Sequence, residues 1–234
     1  MQPELQPVNS QIARPGELSI QQNRVLRNTY LLLAVTLIPT VIGAVIGTNS
    51  GLGGLMRQAG WMSFIVIMVV FYGWIWAIEK NRDSGIGVAL LLGFTFFLGL
   101  LLGPLLSRVL GFSNGGQLVA MAVGGTAVTF FGLAAVASTT KRDFTKMGSF
   151  LTIGAIVIML AVVGQLFFQS PVLQLVIISA FIIFSAMMIL YQINSMVHGG
   201  ESNYVSCTLS LYISIYNLFS SLLQLLGIFG GDKD

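Results

Sequence analysis

Six polar side chains in the last apolar run, Tyr204–Leu226, are the first candidates for chemistry: Ser206, Ser210, Ser214, Asn217, Ser221 and Gln224. Their spacings of four, four, three, four and three place all six on one narrow stripe of a helix. The remaining faces are Leu, Ile, Val, Phe and Tyr, and the run is long enough to cross a bilayer, which takes about 20 residues. Uncharged hydroxyls and amides at that depth face protein or a water-filled cavity rather than lipid. Two readings follow. The stripe hydrogen-bonds to neighbouring helices, or, with Gln192 and Asn194 of the preceding run, it lines a polar path through the protein. A second candidate is the loop His198-Gly199-Gly200-Glu201-Ser202-Asn203-Tyr204. Gly199-Gly200 permits a tight turn. His198 and Glu201 are near enough in sequence to pair and respond to pH around neutrality, or they are a solvated turn.

Catalytic groupings are missing from the sequence. A serine nucleophile needs a base beside it, and the single histidine falls in a loop. Paired intramembrane aspartates and a Schiff-base lysine in the last run are also lacking. One cysteine, Cys207, and one histidine make neither a disulfide nor a zinc cluster. A non-enzyme without metal or cofactor is expected.

The elements that must position these residues are apolar. Of 234 residues, 55% are hydrophobic and 8% charged, against about 25% charged in soluble domains; mean hydropathy is +0.88. None of the 11 Lys/Arg and 8 Asp/Glu lies near the middle of a long apolar run, where a charge costs at least about 2.5 kcal/mol. The composition predicts an all-α integral membrane protein. The net charge of +3 is spread over short loops, so no nucleic-acid partner is expected. Residues 1–28 read as a flexible polar tail, 29–228 as a seven-helix transmembrane domain and 229–234 as a short C-terminal tail. The runs are Tyr30–Gly47, Gly60–Ile78, Ile86–Leu106, Gln117–Ala137, Gly148–Phe168, Pro171–Ser195 and Tyr204–Leu226. Pro39 should bend the first, and Gly103-Pro104 should break the third near its end. Trp61, Trp74 and Trp76 read as interfacial anchors. Gly43/Gly47 and Gly99/Gly103 are GxxxG pairs suited to close helix packing within the chain. Eight Lys/Arg fall on the N-terminal side of the membrane and three on the other. The N-terminus is therefore expected in the cytoplasm and the C-terminus outside.

Four segments, RVLRNTYLLLAVTL (24–37), GGTAVTFF (124–131), HGGESNY (198–204) and SLYISIYNLFSSLL (210–223), carry a resemblance. Together, and in this order, they look like the Bax inhibitor-1 family, and more narrowly its bacterial YccA branch. The resemblance implies a seven-transmembrane-helix bundle in the bacterial inner membrane, with the last helix central. It further implies association with the membrane-anchored AAA+ protease FtsH, as a slow substrate gripped by its N-terminal tail and a restraint on the protease. Other bacterial members are pH-sensitive calcium leaks with two facing aspartates. The matching positions here are Gln192 and Ser214, neither of which ionises, so calcium is a partner only under that alternative.

Overall fold

In lipid a spanning segment must satisfy its own backbone hydrogen bonds, which makes each long apolar run a helix. The computed structural model describes residues 15–140, 142, 144 and 147–231, with side chains from residue 22 onward. The described residues form α1 (Pro15–Asn49), α2 (Leu52–Ala59), α3 (Trp61–Lys80), α4 (Gly85–Leu110), α5 (Gly115–Thr139), α6 (Met147–Phe168), α7 (Pro171–Val197) and α8 (Tyr204–Gly230). All except α2 are long and apolar enough to span a membrane. The chain is an all-α, seven-span membrane protein.

Three local expectations shift. Helix α1 begins at Pro15, inside the stretch expected to be tail. Its lower turns are not merely polar lead: Val25, Leu26 and Tyr30 pack on the core. The expected tail over residues 1–14 lies outside the described residues. Pro104 does not end α4, which continues to Leu110. Proline removes only one backbone donor, the partner of Leu100 O, and that carbonyl sits against Gly47 of α1. Trp74 is a packing residue and not an anchor. Its Nε1 donates to Leu90 O (3.0 Å), and its ring stacks on Phe97 with centroids 5.6 Å apart. Trp61 and Trp76 are exposed at opposite ends of α3 as expected, with Lys80 Nζ 4.9 Å from the Trp76 ring centroid.

The two GxxxG pairs face each other. A Cβ added at Gly43, Gly47, Gly99 or Gly103 would run into the backbone of the opposite helix: Phe96 and Leu100 for the first two, Thr40 and Gly47 for the others. Helices α1 and α4 therefore meet backbone to backbone, the most extensive helix pairing in the fold. Helix α8 packs against α1, α3, α4, α5 and α7, which makes it the central helix. Helix α6 is an outrigger that packs on α7, so the ring around α8 is made by five spans. The outer faces of α3 and α6 expose Val69, Phe150, Ile153, Leu160 and Phe167, as lipid-facing surfaces should.

The ends of the bundle are tied separately. At one end Asn203 Nδ2 donates to Asp83 Oδ1 (2.7 Å) and Arg82 O (3.3 Å), joining the α3–α4 and α7–α8 loops. Asn194 brings the α5–α6 connection to the same end, accepting from Phe144 N (2.8 Å) and donating to Arg142 O (3.0 Å). At the opposite end Ser107 Oγ donates to Thr48 O (2.9 Å) and Asn114 Nδ2 to Gly230 O (2.5 Å). Gln22 reaches Gly199, so α1 starts at the first end while α8 finishes at the second.

Candidate functional site

The stripe on α8 faces inward. Ser206, Ser214 and Ser221 are buried, and Ser210, Asn217 and Gln224 are half-buried within the bundle. Much of this hydrogen bonding is local: Ser214 Oγ donates to Ser210 O (2.9 Å) and Ser220 Oγ to Asn217 O (3.2 Å). Such back-bonding lets a hydroxyl lie in an apolar helix without an external partner. Among the stripe hydroxyls, Ser206 Oγ reaches off α8, donating to Glu79 Oε2 (2.8 Å).

That bond marks a polar vestibule of about 230 Å³ at the loop end, between α3, α7 and α8. Gln192, Ser206 and Ser210 of the expected stripe line it, along with Gly200 and Glu201 of the expected loop motif and with Glu79, Tyr191 and Ser195. Two carboxylates thus border one cavity. Glu79 is also held by Arg82, whose guanidinium lies 3.5 Å away, the only ion pair among the described residues. Glu201 Oε1 accepts from the backbone N–H of Ser202 (3.0 Å) and of Asn203 (2.9 Å). His198 turns instead to the end of α7, its Nδ1 2.9 Å from Asn194 O. The pair conceived between His198 and Glu201 is not made, because each group finds a backbone partner closer to its own chain position.

Asn203 builds the turn that leads from the vestibule's Glu201 into α8. Its Oδ1 accepts from Val205 N (2.9 Å) and Ser206 N (3.2 Å), capping α8, while its amide nitrogen holds the α3–α4 loop. Gly199 has φ 77°, the left-handed region that favours glycine. A Cβ on Gly200 would lie 2.6 Å from Ser195 Oγ. The turn requires glycine at 199, while at 200 a side chain would have to displace the Ser195 hydroxyl.

Other expected stripe residues go elsewhere. Asn194 is fully buried and holds the backbones of Arg142 and Phe144 rather than lining the vestibule. Ser214, Asn217 and Ser221 border neither the vestibule nor the second cleft, which opens at the opposite end and contains Gln224. The two cavities share no lining residue. Between their levels Tyr212, 2% exposed, holds its hydroxyl 2.7 Å from Thr40 Oγ1 and 3.3 Å from Thr95 O, locking α8 to α1 and α4. Residue reading missed Glu79, because it stood in a charged connection, EKNRDS, and passed for a solvated loop residue. A carboxylate one position beyond Ile78, where the apolar run stops, was the signal available.

With this geometry in hand the chain can be set beside known proteins. The profile of the family described as "Inhibitor of apoptosis-promoting Bax1" matches residues 22–231. This chain belongs to the Bax inhibitor-1 family. It is 43% identical to an uncharacterized protein of Pseudomonas aeruginosa over 99% of this chain and 100% of that one. It is 41% identical to an uncharacterized protein of Neisseria meningitidis serogroup A over 92% of this chain and 95% of the relative. It is 38% identical to the Escherichia coli K12 protein named modulator of FtsH protease YccA, over 91% of this chain and 94% of that protein. Within the Bax inhibitor-1 family, then, this seven-span member carries Glu79 and Glu201 at its loop-end vestibule, with Gln192 on the facing helix.

Proposed function

We propose that this Bax inhibitor-1 family protein is a non-enzymatic, multi-pass inner-membrane protein that binds an FtsH-type AAA+ protease and modulates its turnover of membrane substrates. The observation that carries the reading is the 38% identity, along nearly the whole chain, to the protein named modulator of FtsH protease YccA. The inner membrane fits the relative from a second Escherichia coli strain that is named inner membrane protein YccA. The N-terminal arm supplies the physical rationale. Residues 1–14 precede α1 in the chain, Gln22 of α1 meets Gly199, and an ATP-driven protease needs a leading segment to engage. Deleting residues 1–20 should lengthen the protein's lifetime in cells while leaving membrane insertion intact. Unchanged decay, with no protease recovered alongside the tagged full-length chain from detergent extracts, would sink the reading.

A second reading, a pH-sensitive calcium leak, is favoured by the vestibule with its two carboxylates. Calcium takes several oxygen ligands, carboxylates among them. In this reading the path would continue along the α8 stripe. Purified protein in liposomes should then pass calcium between pH 5 and 8, and Ser214→Leu should abolish that flux. Flux indifferent to Ser214→Leu removes the stripe from any path.

A further inference from the structure

The cleft at the opposite end of the bundle has a chemistry of its own. It lies between α4 and α8, has a volume of about 320 Å³, and is bordered by Leu101, Leu105 and Arg108 of α4 and by Tyr216, Ser220 and Gln224 of α8. The α4 positions are four and three residues apart and the α8 positions four and four, so each helix lays one face of side chains along the cleft. At 1.5 Å per residue the α4 face is about 10 Å long and the α8 face about 12 Å. The two helices run in the same direction, which puts Arg108 and Gln224 at the mouth and Leu101 and Tyr216 at the bottom. Among the described residues bordering the cleft, Arg108 alone is charged. Among the described residues its guanidinium has no ion pair and no hydrogen bond, and the Gln224 amide and Tyr216 hydroxyl also make no hydrogen bond.

We infer that this cleft binds one anionic phospholipid, with the phosphodiester on Arg108 and Gln224 and the start of an acyl chain along Leu101 and Leu105. An unpaired guanidinium presents a fork of donors matched to phosphate oxygens. A depth of about 10 Å from headgroup level suits eight or so methylenes, whose burial is favourable when they are taken from water. In a bilayer most of that apolar gain is already present, so the charge and the amide select the ligand while the leucines only accept its chain. A water-soluble phosphate would leave Leu101 and Leu105 uncovered, and a zwitterionic lipid would bring its own cation to Arg108. The site is independent of any protease partner or ion path.

The test uses the full-length protein, extracted in detergent, stripped of lipid and examined by native mass spectrometry. The probes are dioleoyl-phosphatidylglycerol, dioleoyl-phosphatidylcholine and glycerol 3-phosphate. One phosphatidylglycerol per chain should be retained at least tenfold more tightly than phosphatidylcholine, and glycerol 3-phosphate should not be retained. Arg108→Gln should lower phosphatidylglycerol affinity at least tenfold, whereas Arg57→Gln, on the exposed α2 at the same end, should not. Leu105→Trp fills the cleft without changing charge and should also weaken retention; if it fails to fold by circular dichroism, Arg108→Gln alone decides. Equal retention of the two lipids overturns the assignment. So does an Arg108→Gln protein that binds like the parent, or retention of glycerol 3-phosphate in place of lipid.

Discussion

Asn203 shows how much a single amide holds together. Its oxygen caps α8, and its nitrogen ties the α7–α8 loop to Asp83 and Arg82 of the α3–α4 loop. Capping residues contribute about 1 kcal/mol, and a hydrogen bond to a charged group adds about 1.5 kcal/mol or more when it is shielded. Asp83 is exposed, so the lower end of that range applies. Asn203→Ala should therefore cost about 2.5 kcal/mol, measured by denaturant unfolding of the detergent-solubilised protein. Asn203→Asp keeps the capping oxygen but sets a carboxylate against Asp83. Its loss should shrink as salt rises, because exposed charges are screened; a salt-independent loss would mean that the cap alone matters. The motif HGGESNY was visible in the sequence, yet its roles were not. His198 and Glu201 drew attention as titratable groups, while the asparagine that shapes the turn has no titration and no unusual spacing to mark it.

At the scale of helices, the α1–α4 seam and the α8 axis decide the architecture. Periodicity read correctly that the polar stripe turns inward and that α8 is central, because a hydroxyl facing lipid is costly whatever the neighbours are. Periodicity was silent on which helices touch α8, since an apolar face looks the same whether it meets lipid or leucine. That is why the pattern does not reveal that α6 packs on α7, outside the ring around α8. Helix α1 starts ahead of its apolar run for a related reason: the polar stretch before Tyr30 carries Val25 and Leu26, which rest on the core. The glycine pairs were legible as motifs, but their mutual facing needed coordinates. Gly47→Leu must force Leu100 backbone away from α1, and overpacking of this kind costs about 3 kcal/mol or more where backbone cannot yield. Gly124 has open space around a would-be Cβ, so Gly124→Leu should change stability by no more than about 0.5 kcal/mol. Thermal unfolding in one detergent compares them directly, and equal losses would show that the seam is looser than its backbone contacts require.

Across the whole molecule the two ends differ in charge and in chemistry. The loop end carries every described acidic side chain, Glu79, Asp83 and Glu201, together with Arg24, Arg27, Lys80 and Arg82, while the opposite end presents Arg57 and Arg108. Seven crossings put the start of α1 and the end of α8 on opposite sides of the bilayer. The basic excess of the loop end over short connections favours its retention in the cytoplasm. Fusing alkaline phosphatase, which needs an oxidising compartment for its disulfides, after Gly230 should give active enzyme in cells. The same fusion placed in the 81–84 loop should be inactive, and a fluorescent reporter that matures only in the cytoplasm should give the reverse pattern. Activity at both positions, or at neither, would contradict seven crossings; the full reversal would keep the fold but turn it over in the membrane. Reversal would also move the vestibule, with its two carboxylates and the root of the N-terminal arm, out of reach of any ATP-driven partner. The topology experiment therefore bears on the protease reading before any binding is measured.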